Sequence, residues 1–160
     1  MKILLPIDGS EVSLEAVRHA IALRREGLRA EFVLANVQEP ATLYEMVRAP
    51  DPHVLDEIRV AAGSHVLLAA EALLRDAGME ATEVLVSGDP AHALVEIIER
   101  EGCDAVIMGS HGSGALRSAF AGSVSHDLIH GSPVPVTLVK LREAAEVPAE
   151  EDLGSQAVAS

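Results

Sequence analysis

Residues 109–126 read "GSHGSGALRSAFAGSVSH", with four glycines, five serines and no carboxylate. They fall within the longest acid-free interval of the chain, residues 105–126. Glycines allow a backbone to approach a ligand closely and permit positive φ, so that successive N–H groups can converge on an anion. Gly122 and Ser123 stand where a helix opens, and a helix N-terminus offers free N–H donors with a partial positive charge. The one formal positive charge in the interval is Arg117, with His111 and His126 as possible additions. These features suit a phosphate group. The plainer alternative is a tight turn whose lack of acid is chance.

Two widespread phosphate loops are missing. No G-x-x-x-x-G-K-[ST] occurs, and "GSGALR" departs from G-x-G-x-x-G at Arg117. Other chemistry-bearing residues carry less. His126 and His130 share a helical face in "HDLIH", beside Asp127. That spacing suits two metal ligands, but Asp is shorter than the Glu base of a zinc protease and no third ligand is evident. Solvated helix-end histidines are the simpler reading. Cys103, the single cysteine, excludes an internal disulfide and reads as a buried structural thiol rather than a redox sensor. Asp8-Gly9-Ser10 could suggest a nucleophile, yet no base is placed by sequence and helix capping accounts for Ser10.

The elements that must position these residues alternate along the chain. "KILLPID" is a buried strand, and Ser10 then caps a helix with Val12, Ala16, Ala20 and Leu23 at helical spacing, stopped at Gly27. "EFVLANV" (31–37) is a second strand, and residues 38–52 form a long connection carrying three prolines. A helix over Val54–Ala77, with a solvated acidic face, leads to the third strand, "ATEVLVSG". Pro90 opens a helix that runs to Glu101. "DAVIMG" is strand four, followed by the glycine loop, a helix over Gly122–His130, and strand five over 134–140. The segment 143–160 is rich in Ala and Glu, lacks periodicity and predicts a disordered acidic tail after a single domain over 1–142.

Alternating strands and helices predict an α/β fold: a doubly wound, five-stranded parallel sheet with helices on both faces. Right-handed crossovers and a reversal after strand three give the order 3-2-1-4-5. The switch point then lies between strands one and four, and ligands in such sheets bind beyond the strands' carboxyl ends at that point. Those ends are Asp8 and Gly109, so the glycine loop stands where a ligand belongs.

Composition narrows the function classes. The formal net charge of −13 argues against non-specific nucleic-acid or anionic-membrane binding. No apolar run approaches the roughly 18 residues of a membrane span. "MKILLPIDGS" lacks a signal-peptide layout, which predicts a soluble cytoplasmic protein.

Gly109-x-x-Gly112, nine further residues and Gly122-Ser123 form a G-x-x-G-x9-G-S pattern. Together with "ILLPIDGSEVSLEAVRHAIAL" and "GSPVPVTLVK", it resembles the ATP-binding branch of the universal stress protein family over residues 1–140. The resemblance implies a Rossmann-like, adenine-nucleotide-binding domain. It implies that Asp8 contacts the nucleoside, with Pro6 and Ile7 lining its approach and the Val37 backbone recognising adenine. Met108, Gly109, Gly112, Gly122, Ser123 and Val124 then surround ribose and phosphates. His111 stands where many members have Arg, which leaves Arg117 to compensate for the lower charge of a neutral imidazole. ATP would be held by a regulatory protein, with Mg²⁺ arriving only with the nucleotide. The family also implies a homodimer through the edge strand 134–140. Alternatives are a slow adenine-nucleotide hydrolase or transferase on the same scaffold, and a nucleotide-free interaction module; the client protein is not legible.

Overall fold

The computed structural model describes residues 1–39, 52–111 and 123–141. The strands are β1 (Lys2–Pro6), β2 (Glu31–Gln38), β3 (Ala81–Ser87), β4 (Ala105–Gly109) and β5 (Val136–Val139). The helices are α1 (Glu11–Arg25), α2 (Pro52–Asp76), α3 (Pro90–Glu101) and α4 (Ser123–Gly131). All strand pairs are parallel and the order is β3-β2-β1-β4-β5, as the alternation of elements predicts. The expected tail, 143–160, lies outside the described residues.

Strand alternation sorts the core into two layers. Ile3, Leu5, Ile7, Phe32, Leu34 and Ile107 turn to one face, against Ala16, Val17, Ala20 and Ile21 of α1 and Leu67, Ala70 and Leu74 of α2. Leu4, Val33, Ala35, Val84, Val106 and Met108 turn to the other, against Leu94, Ile97 and Ile98 of α3 and Leu128 of α4. The central strands are apolar on both faces because helices cover both.

Local chemistry accounts for the helix ends. Asp89 caps α3 by accepting the His92 N–H at 3.0 Å, and Pro90 follows in the first turn. Gly102 closes that helix at φ 65°, a left-handed conformation that costs glycine little. Some boundaries differ from expectation. β1 ends at Pro6, so Asp8 stands two residues beyond the strand rather than closing it. α2 already includes Pro52, α4 as described spans Ser123–Gly131, and β5 spans Val136–Val139 within the expected 134–140.

Candidate functional site

The carboxyl ends of β1, β2 and β4 lie side by side, because these strands are parallel neighbours around the switch point. The site can be followed from Ile7, which is buried and donates its N–H to the Ala35 carbonyl at 2.8 Å. Pro6, before it, is half-buried at the end of β1. The chain then turns through Gly9 at φ 83°. Exposed Asp8 accepts two hydrogen bonds on Oδ1, from Ser10 N–H at 3.0 Å and Ser10 Oγ at 2.6 Å. Ser10 Oγ in turn accepts the Ser13 N–H at 3.1 Å, capping α1. One serine therefore starts the helix and holds the carboxylate at its N-terminus, where negative charge is favoured.

β4 enters the site from the other side. Met108 is buried, its side chain packed in the core of the α3/α4 layer. Gly109 lies against the first turn of α1; a β-carbon there would stand 2.7 Å from Val12 Cγ1 and 3.2 Å from the Ser13 nitrogen. Glycine is required here for close packing, in addition to any ligand contact.

Ser110 donates its N–H to the Val139 carbonyl at 2.8 Å, and its own carbonyl accepts Ser125 Oγ at 3.0 Å. These two bonds tie the end of β4 to β5 and to α4. Half-buried His111 places Nδ1 3.0 Å from Ser110 Oγ. Ser123, the first residue of α4, is exposed, while Val124 is half-buried against the α3/α4 layer.

At β2, Val37 is half-buried, with its side chain packed on the α3/α4 layer. A ligand approaching the edge of the sheet there would meet main chain rather than this side chain. Gly112, Arg117 and Gly122 lie outside the described residues. The sequence reading did not single out Asn36, Gln38, Ser110 or Ser125, which bind the strand ends together. A polar Asn36 inside the apolar run "EFVLANV" was the available signal, since a buried carboxamide needs partners.

Elsewhere, the rings of His126 and His130 lie 4.7 Å apart and both residues are exposed. Among the described residues, no group of three or more His, Cys, Asp or Glu is arranged to hold a metal ion. Cys103 is buried before β4, at the opposite edge of the sheet, and burial raises its thiol pKa. No described helix is long and apolar enough to cross a membrane.

Comparison with known proteins bears on what this geometry is for. The universal stress protein family model matches residues 1–140. The universal stress protein YxiE of Bacillus subtilis is 31% identical over 147 residues, covering 87% of this chain and 98% of its own. The solved structure of hypothetical protein MJ0577, from Methanocaldococcus jannaschii, superposes with a TM-score of 0.74 at 30% identity, covering 89% of this chain and 97% of that one. A universal stress protein solved in complex with cAMP superposes with a TM-score of 0.64 at 26% identity, covering 87% and 96% of the two chains. With its sheet order, its strand-end site and a family match over nearly all of its described length, the chain belongs to the universal stress protein family.

Proposed function

We propose that this protein holds an adenine nucleotide, ATP, at the carboxyl edge of β1, β2 and β4, and acts as a cytoplasmic regulatory protein in stress response. The observation that carries this reading is the convergence of three features at the switch point: the Asp8 carboxylate, the Val37 main chain and the Gly109–His111 turn joined to α4. The cAMP complex of a relative supports a nucleotide as the ligand class. In this reading Asp8 meets the ribose, the Val37 backbone meets adenine, and the G-x-x-G-x9-G-S loop with the start of α4 meets the phosphates. Pro6, Ile7, His111, Gly112, Arg117, Gly122, Ser123 and Val124 belong to the same site. Met108 and Gly109 contribute through backbone and packing. Mg²⁺ would accompany the triphosphate rather than occupy a cage of its own.

The folded unit of this reading is residues 1–142, paired as a homodimer along the outer edge of β5. The carbonyl of Pro135, just before β5, accepts from Val106 of β4, and that of Val139 in β5 accepts from Ser110, just after β4. Alternation along a parallel strand then turns the backbone groups of Val136 and Leu138 outward.

The test is to denature the purified protein and identify any released nucleotide by chromatography, then to titrate emptied protein with ATP by calorimetry. ATP is expected to bind wild type and to lose affinity in Gly122→Val, whose branched side chain fills the phosphate approach. Equal affinity in the two proteins overturns the phosphate-loop assignment. Phosphate release well above about 1 s⁻¹ with Mg-ATP would favour an enzyme instead.

A further inference from the structure

The β1–β2 ladder ends in an unusual way. In a parallel pair a residue's N–H and C=O point to the same side, and successive residues point to opposite sides. Gln38 faces β3, since its carbonyl accepts the Gly88 N–H at 3.0 Å. Ala35 faces β1, since its carbonyl accepts the Ile7 N–H at 2.8 Å. Val37 therefore also faces β1, and the next rung would run from its N–H to the Ile7 carbonyl. Among the described residues no backbone hydrogen bond makes that rung. The Ile7 carbonyl instead accepts the side chain of Asn36, whose Nδ2 donates to it at 2.7 Å in a buried setting.

The carboxamide is itself held. Asn36 Oδ1 accepts Gln38 Nε2, which leaves Nδ2 to face Ile7. Gly63 of α2 closes over the pair: a β-carbon there would stand 2.9 Å from Asn36 Oδ1 and 2.3 Å from Leu85 Cδ1. The helix backbone thus seals this small polar relay from the side, and only glycine at position 63 permits it.

We infer that Asn36 is a positioning residue: by satisfying the Ile7 carbonyl it ends the β1–β2 ladder one rung early and leaves the main chain of Val37 as a hydrogen-bonding edge for the base of a bound ligand. An N–H beside a C=O suits a base that presents an acceptor beside a donor, as adenine does. The same bond fixes the peptide that leads into Asp8, so one side chain sets both the base end and the ribose end. This rests on the adenine-nucleotide reading of the site.

Two measurements test it. In nucleotide-free protein, the Val37 amide is expected to exchange with solvent faster than the Leu34 and Ala35 amides. Asn36→Leu, which frees the Ile7 carbonyl to take the missing rung, is expected to slow that exchange. By calorimetry, Asn36→Leu is expected to weaken ATP about tenfold while leaving inorganic tripolyphosphate binding unchanged, because one ligand hydrogen bond at the base end is lost. Asn36→His, which retains an N–H donor of similar reach, is expected to restore much of the affinity. A Val37 amide as protected as its neighbours in wild type overturns the inference. So does an equal loss of ATP and tripolyphosphate binding, which marks a purely structural role. An open Val37 amide that closes in Asn36→Leu, in a protein that binds no ATP, supports the role of Asn36 in ending the ladder and overturns the nucleotide reading instead.

Discussion

Gly109, at the end of β4, and Val12, in the first turn of α1, are packed so closely that a β-carbon on Gly109 would stand 2.7 Å from Val12 Cγ1 and 3.1 Å from the Val12 carbonyl carbon. A valine methyl can rotate away, but the helix backbone cannot. The start of α1 carries Ser10 and, through it, the Asp8 carboxylate. The glycine that opens the G-x-x-G-x9-G-S pattern is thus also the surface on which the opposite half of the candidate site is seated.

Gly109→Ala is accordingly expected to destabilise the fold by about 1–3 kcal/mol, the usual cost of overpacking. Urea unfolding measures this. ATP binding is expected to weaken as well, because α1 must shift. A variant of unchanged stability would show that the helix yields without cost and that Gly109 matters only for the ligand.

Ser10 performs two tasks at once. Ser10→Ala removes the N-cap of α1 and both hydrogen bonds that involve its hydroxyl, to Asp8 and from Ser13. Loss of an N-cap costs about 1 kcal/mol. The urea midpoint is expected to fall accordingly, and ATP affinity to fall with it as Asp8 loses the hydroxyl and keeps the backbone N–H of residue 10. Ser10→Asp would restore the cap but set a second carboxylate beside Asp8, so it should recover less binding than stability.

The side chains of Asp8 and Val37 are expected to contribute unequally. Asp8→Ala removes a carboxylate from the site, whereas Val37→Ala leaves the main chain in place and trims a side chain packed on the α3/α4 layer. Calorimetry is expected to show ATP weakened more by Asp8→Ala than by Val37→Ala. The reverse order would mean that the nucleoside end lies elsewhere.

Cys103 makes stability depend on alkaline pH. Burial raises its thiol pKa in the folded protein. A raised folded value means that the unfolded thiol ionises first, so the stabilisation is complete below the unfolded pKa of about 8.5. It is lost as pH rises through the raised folded value. Wild type is expected to lose urea stability between neutral and strongly alkaline pH more steeply than Cys103→Ala. Parallel pH profiles for the two proteins would assign the alkaline loss to other groups.

The outer edge of β5 is best probed at Thr137. Its side chain is exposed, whereas Val136 and Leu138 are half-buried on the α3/α4 layer, so changing those two would disturb the core. If two copies pair antiparallel along this edge with the short strand centred on itself, Thr137 falls close to the two-fold axis. Thr137→Lys sets like charges near one another across that axis. Light scattering is expected to show a dimeric wild type and a monomeric variant of unchanged melting temperature. A monomeric wild type at micromolar concentration rules out the interface.

Much of this protein is local in origin and legible in the chain itself. The two-sided apolar runs "KILLP" and "AVIMG", the cap Ser10 and the opening of α3 at Pro90 are each read within a few residues. Their alternation, with right-handed crossovers, already leads to the order 3-2-1-4-5 and to a site at the switch point. The relationships that shape the site are of another kind. Asn36 meets the Ile7 carbonyl across 29 residues of sequence, and Ser125 meets the Ser110 carbonyl across 15. No periodicity points to such partners, because a hydrogen bond between strand ends depends on register and on where each ladder stops. In one dimension Gly109 reads as a glycine that lets a ligand approach the backbone, and Gly63 carries no signal inside its helix. In three dimensions each is the point where a helix presses on the sheet, since close packing leaves no room for even one added carbon.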